Sequence, residues 1–148
     1  MAHYREQIRK AVVTAVTGLT TTSTRVESGA VYNLADGMSP TLAVWARRST
    51  PDYEQGQMQC APLWQVEIVV DGYVKAYTDL LDTLDDMASE VETAIYSNSA
   101  LLALCNNYIE LGEQTIEIDL EGDQPLGKIE MIFTMYYHAA EGAPDSKV

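Results

Sequence analysis

Leu80-Leu81-Asp82-Thr83-Leu84-Asp85-Asp86-Met87-Ala88-Ser89-Glu90-Val91-Glu92-Thr93-Ala94-Ile95 is the stretch on which the fold turns. Leu80, Leu81, Leu84, Met87, Ala88, Val91, Ala94 and Ile95 recur at steps of one and three, the apolar stripe of a helix that packs against something. Asp79, Asp82, Asp85 and Asp86 crowd its first half, where the helix dipole favours anions, and Thr78 or Asp79 is placed to cap it. What that stripe packs against is legible on both sides. After it, Asn98 and Ser99 restart a short helix over 100–104, and Thr115 to Leu120 alternates with acids outward. Glu121 to Pro125 makes a turn. A long strand follows from Lys128 to His138, with Ile129, Met131, Phe133, Met135 and Tyr137 on one face and Ile132 and Tyr136 on the other.

Before it, Trp64, Val66, Ile68 and Val70 alternate with Gln65 and Glu67 as a half-buried strand, and Asp71-Gly72 supplies turn chemistry. Between Arg47 and Pro62 the chain is mostly polar, with two prolines and no period, and is expected to be a long mobile loop or an extended hairpin arm. Short strands are expected near 25–27, 30–34 and 41–46, the last opened by Pro40. The β-branched run Thr20 to Thr24 disfavours helix. From Tyr4 to Thr17, Tyr4, Ile8, Ala11, Val12, Ala15 and Val16 recur at helical spacing, with Gly18 as the stop. Helix, strands, helix, strands predicts an α+β domain, an antiparallel or mixed β-sheet with two main α-helices packed on one face. The 148 residues fit a single domain over 1–148, with a frayed tail over about 140–148.

The charge is lopsided. Nine Lys and Arg face 22 Asp and Glu, a formal −13. Residues 1–50 carry six of the bases (Arg5, Arg9, Lys10, Arg25, Arg47, Arg48) and only three acids (Glu6, Glu27, Asp36), so the acidity belongs to residues 51–148. Such a chain is poorly suited to nucleic acid bound through phosphate neutralisation, or to an anionic membrane surface. No apolar run approaches the roughly 18–20 residues of a membrane-spanning helix, and the first residues lack the apolar stretch of a signal peptide. Cys60 and Cys105 form no redox or zinc spacing and point to a reducing compartment. Unlike halves in one small domain favour ordered association between copies or partners.

Chemistry-bearing patterns are few. Gly29, Gly37 and Gly56 are isolated, with no phosphate loop and no nucleophile elbow. His3 and His138 have no companion at ligand spacing, and a Cys60–His138 nucleophile pair would draw on a cysteine in the expected loop. Asp79, Asp82 and Asp86 share a helical face that a hard cation could use, although dipole and water already stabilise them. Asp119, Glu121, Asp123 and Glu130 copy ligand positions of a calcium loop, but Gln124 stands where glycine is needed and Pro125 follows, so a hairpin turn is the stronger reading. The expectation is a chain that is not an enzyme, with no catalytic residue, metal or cofactor.

Three stretches taken in order carry a family resemblance. They are Arg5-Glu-Gln-Ile-Arg-Lys-Ala-Val-Val-Thr-Ala-Val-Thr-Gly-Leu19 with the Thr-rich run; Ser39-Pro-Thr-Leu-Ala-Val-Trp45 leading through a variable loop to Trp64–Val70; and Asp79 to Glu92 with Asp119-Leu-Glu-Gly-Asp-Gln-Pro-Leu-Gly-Lys128 and the strand ending at Tyr136-Tyr137. Together they resemble the tail terminator proteins of long, non-contractile-tailed bacteriophages, the minor tail protein U-like family. The resemblance implies a structural virion protein at the head-proximal end of the tail, assembled in the host cytoplasm. It implies a homo-oligomeric ring, commonly a hexamer, that caps the tail tube protein, ends its polymerisation and offers a joining surface to the head–tail connector or neck protein. DNA would pass through without specific binding. By position, Arg47 to Pro62 would be the loop that contacts partners, with Arg47, Arg48, Tyr53 and Met58 as candidates because Arg, Tyr and Met are enriched in interface cores. Arg5 and Arg9 join them as contacts between proteins, leaving an acidic or neutral channel. Other readings are a neck, head-completion or tail tube protein, an acidic cation-binding module, or a small hydrolase.

Overall fold

The structure is a computed structural model and describes residues 3–29, 40–52, 62–105, 108–120 and 125–138. It is an α+β fold whose centre is the strand pair with the strongest alternation. β5 (Leu126–His138) is flanked by β3 (Leu63–Lys75) and β4 (Ile109–Asp119), both antiparallel to it. β2 (Thr41–Asp52) pairs antiparallel with β3, and the three-residue β1 (Val26–Ser28) runs parallel to β2, so the mixed sheet has the order β1-β2-β3-β5-β4.

One face of this sheet carries the helices. Ile129, Met131, Phe133, Met135 and Tyr137 of β5 join Val66, Ile68 and Val70 of β3 and Leu42 and Val44 of β2 in a single core. Into it α1 (Tyr4–Val16) inserts Tyr4, Ile8, Val12 and Val16, and α2 (Leu80–Ser97) inserts Leu84, Met87, Ala88, Val91 and Ile95. The short α3 (Ser99–Leu104) adds Leu101 and starts on Asn98, whose side chain accepts from the Leu101 amide at 2.9 Å. The Tyr4 hydroxyl donates to the Leu104 carbonyl at 2.7 Å, and the Tyr4 ring lies 4.6 Å from that of Tyr137, tying α1 to α3 and β5. Helix α2 lies close to the sheet because two strand glycines face it. A Cβ on Gly127 would stand 3.0 Å from atoms of both Leu80 and Leu84, and one on Gly72 would stand 2.5 Å from the Met87 methyl.

Several expectations change. Of the two forms expected for Arg47 to Pro62, a loop or an extended hairpin arm, the described part takes the second: β2 runs through Arg47 to Asp52, paired antiparallel with β3 down to Asp52 opposite Leu63. Its polarity reflects position, since Arg47, Arg48 and Thr50 are exposed and need no apolar side chain. The remainder of the expected loop, with Tyr53, Met58 and Cys60, lies outside the described residues, as do the expected strand over 30–34 and the tail over 140–148. Asp71-Gly72 is not a turn but the interior of β3: the Asp71 carboxylate accepts a hydrogen bond from Trp45 Nε1 at 2.8 Å, and Gly72 makes room for α2. Asp79 stands at the N-cap of α2 with φ 58° and makes no side-chain capping bond. Helix α1 is instead capped by His3, whose Nδ1 accepts from the Arg5 amide at 3.0 Å. The Thr-rich run is a turn fastened to α2, where Glu90 accepts from both the amide and the hydroxyl of Thr21.

Candidate functional site: an arginine cleft and an acidic edge

β1 ends early. Its last pair is Ser28 with Val44, and the Gly29 amide donates to the Val44 carbonyl at 2.8 Å. β2 continues for eight more residues, and among the described residues no strand pairs with its outer edge there. Just past this point β2 is irregular. Ala46 opposes Ile68 but Arg48 opposes Glu67, leaving Arg47 as the extra residue of a bulge. A bulge bends the strand and re-aims side chains.

Helix α1 completes the arrangement. Its polar face turns away from the core and carries Arg5 and Arg9 toward β2, where Arg5 Nη1 donates to Ser49 Oγ at 3.0 Å. Arg5, Arg9, Arg47 and Arg48 thus line one open cleft of about 530 Å³ at the edge of the sheet. Arg47 is neutralised by Glu67, with Nε and Nη2 both reaching its Oε2 at 2.9 and 2.8 Å. Arg5, Arg9 and Arg48 have no carboxylate within ion-pair distance among the described residues, and Arg9 Nε is buried without a hydrogen-bond partner. Guanidinium groups so placed present planar forks of donors suited to carboxylate or phosphate.

The opposite edge of the sheet is its complement. Among the described residues β4 pairs only with β5, and ten of its eleven residues are exposed. It carries Glu110, Glu113, Glu117 and Asp119 and no base. It too is bulged: Leu111 opposes Phe133 and Gln114 opposes Met131, so Gly112 and Glu113 together face Ile132. A Cβ at Gly112 would lie 2.8 Å from the Ile132 carbonyl oxygen, so that close approach requires glycine. Because of the bulge, Leu111, Ile116 and Ile118 all stand on the helix side of the sheet, yet each remains more than 40% exposed. At the start of the strand, the Tyr136 hydroxyl donates to Glu110 Oε2 at 2.5 Å, and desolvation followed by this carboxylate pushes the phenol well above its usual range.

Of the six residues singled out in the sequence, four converge and two, Tyr53 and Met58, fall outside the described residues. The β4 edge was not singled out; its signal is the four acids without a base over 109–119. No group of three or more His, Cys, Asp or Glu among the described residues is placed to hold a metal ion. His138 is half-buried with Nδ1 unpartnered. No helix among the described residues is long and apolar enough to cross a membrane. Compared with known proteins, the chain matches no family model and no curated protein.

Proposed function

We propose that this chain is a structural virion protein, a tail terminator that assembles into a ring, a hexamer by the resemblance, on the end of the tail tube. There it stops tube growth and offers the surface that joins tail to head. The observation that supports this reading is the opposition of the two sheet edges. One carries four arginines around a cleft, the other four carboxylates on an exposed strand. Two unlike, complementary surfaces on one subunit make a head-to-tail contact, and such contacts close into rings when the rotation between copies allows. A self-matching patch would stop at a dimer.

The test is the particle mass in solution at several concentrations, alone and with tail tube protein, together with electron microscopy of the products. The expected result is a closed ring one layer thick that halts tube extension when added to a growing tube. Open stacks would identify a tube subunit instead. A monomer at every concentration, indifferent to the tube, would overturn the reading.

A further inference from the structure

Going beyond the ring reading and standing without it, we propose that the exposed apolar strip between α2 and β4 is a docking trough for a basic amphipathic helix of another protein.

The core-facing side of the sheet extends onto β4 but is left open there. Leu111, Ile116 and Ile118 stand opposite Phe133, Ile129 and Gly127 of β5, and cross-strand partners point to the same face. On β5 that face is buried, with Leu80 and Leu84 of α2 set against Gly127. One strand further out the row is still apolar, yet Leu111, Ile116 and Ile118 are 44, 42 and 46% exposed. Single exposed apolar side chains are ordinary, whereas a row continuous with the core marks an interaction site.

Helix α2 supplies the wall. Leu81, Asp85, Ala88, Glu92 and Tyr96 recur at steps of four, three, four and four, one stripe along the helix. Tyr96 turns this stripe toward β4, since its hydroxyl donates to the Ile109 carbonyl at 3.0 Å. Leu81, at the far end of the stripe, is 50% exposed. The floor from Leu111 to Ile118 runs for about 20–25 Å, the length of a helix of about 15 residues. A helix satisfies its own backbone hydrogen bonds and can press an apolar stripe onto a sheet face, as α1 and α2 do on the rest of this one.

Charge then fixes the flanks of the partner. Neither α2 nor β4 contains a Lys or Arg. Asp85 and Glu92 lie on the wall itself. Glu110 and Glu117, opposite Thr134 and Lys128, stand on the other face of β4 and add to the field at its edge. A helix flanked by Lys or Arg is attracted into such a trough and an acidic one is repelled. A second copy of this chain does not fit. Packed face to face, it would set Asp85 and Glu92 against their own kind, and α1, the described helix that carries bases, has its apolar stripe in its own core.

The probe is a labelled peptide of about 16 residues, with Leu at helical spacing and Lys on both flanks, titrated into the full chain by fluorescence anisotropy. Saturable binding is expected, with a gain of helix in circular dichroism. Ile116→Ser with Ile118→Ser is expected to weaken binding at least tenfold without moving the melting temperature, because both side chains are exposed. Asp85→Lys with Glu92→Lys is expected to weaken binding at least tenfold and to admit a Glu-flanked peptide that the parent refuses. That gained binding also shows that the variant folds. Arg48→Glu, on the other side of the sheet, is expected to change binding less than twofold.

A parent that does not bind the peptide would overturn the proposal. Equal binding of a peptide of the same composition with its leucines scattered would do so too, as would binding untouched by the change at Ile116 and Ile118. If that change instead dissociates dimers of the parent in sedimentation, the occupant is a second copy and the basic partner falls. The peptide titration reads one face of one subunit and the particle mass reads the ring, so the two readings fail separately.

Discussion

Asp71 is a carboxyl on the sheet face away from the helices, only 3% exposed, with Oδ2 held by the Trp45 indole and Oδ1 without a partner. Burial pushes its pKa above the usual carboxylate range, and the indole hydrogen bond pulls only partly the other way. The folded chain therefore keeps a proton at pH values where the unfolded chain has already released it. Stability falls as pH rises from the unfolded value of about 3.9 through the raised folded value, and the cost of the buried charge persists above it. Asp71→Asn is expected to melt higher than the parent at pH 7, the gain shrinking to nothing in strong acid. A variant less stable than the parent at neutral pH would show that the charged form is the one this site favours. None of this is legible from Asp71-Gly72 itself, a dipeptide with turn chemistry. Its partner Trp45 stands 26 residues earlier, and only the pairing of β2 with β3 brings them together. At the other extreme, the Tyr4 phenol is pushed up to about 12, mainly by burial, so it stays a neutral donor to Leu104 across the physiological range. Tyr4→Phe is expected to cost about 0.5–1.5 kcal/mol in chemical denaturation, the value of one such bond.

Among the elements, α2 and β5 are the ones their own residues declare. The stripe from Leu80 to Ile95 and the alternation from Ile129 to Tyr137 each describe a segment with one buried face, the situation that periodicity reports. Among the described residues β4 and the far end of β2 each have a neighbour on one side alone and are incompletely covered; β4 still alternates over 115–120, but in Arg47–Asp52 no alternation distinguishes strand from loop. That is why Arg47–Asp52 reads as irregular and why Ile116 and Ile118, spaced as core residues, are exposed. The seating of α2 on the sheet was likewise hidden, because it depends on Gly127 and Gly72 facing Leu80, Leu84 and Met87 from two different strands. Gly127→Val forces the first turn of α2 outward and is expected to cost about 1–3 kcal/mol in chemical denaturation. Asn98→Ala, which removes the cap of α3, is expected to cost about 1 kcal/mol by the same measurement. The arginines of the cleft were legible as charges but not as neighbours. Arg5 and Arg9 meet Arg47 and Arg48 only because α1 packs over β2, a contact across some forty residues of chain.

For the whole molecule, opposite charge on the two sheet edges sits within a net charge of −13, so in the proposed ring the interaction between copies would change sign with distance. At an ionic strength of about 0.01 M the screening length is about 30 Å, enough for whole subunits to repel before their edges meet. Near 0.15 M it falls to about 8 Å: distant repulsion is quenched while paired groups in contact still attract. At about 1 M, with screening within about 3 Å, exposed pairs lose most of their attraction too. Sedimentation across this range is expected to show the assembled fraction passing through a maximum at intermediate salt. A steady rise to 1 M would mean that apolar contact alone drives association. In the proposed ring, the ionic atmosphere would act as a distance filter, under which copies ignore one another until they are close and adhere only when correctly turned.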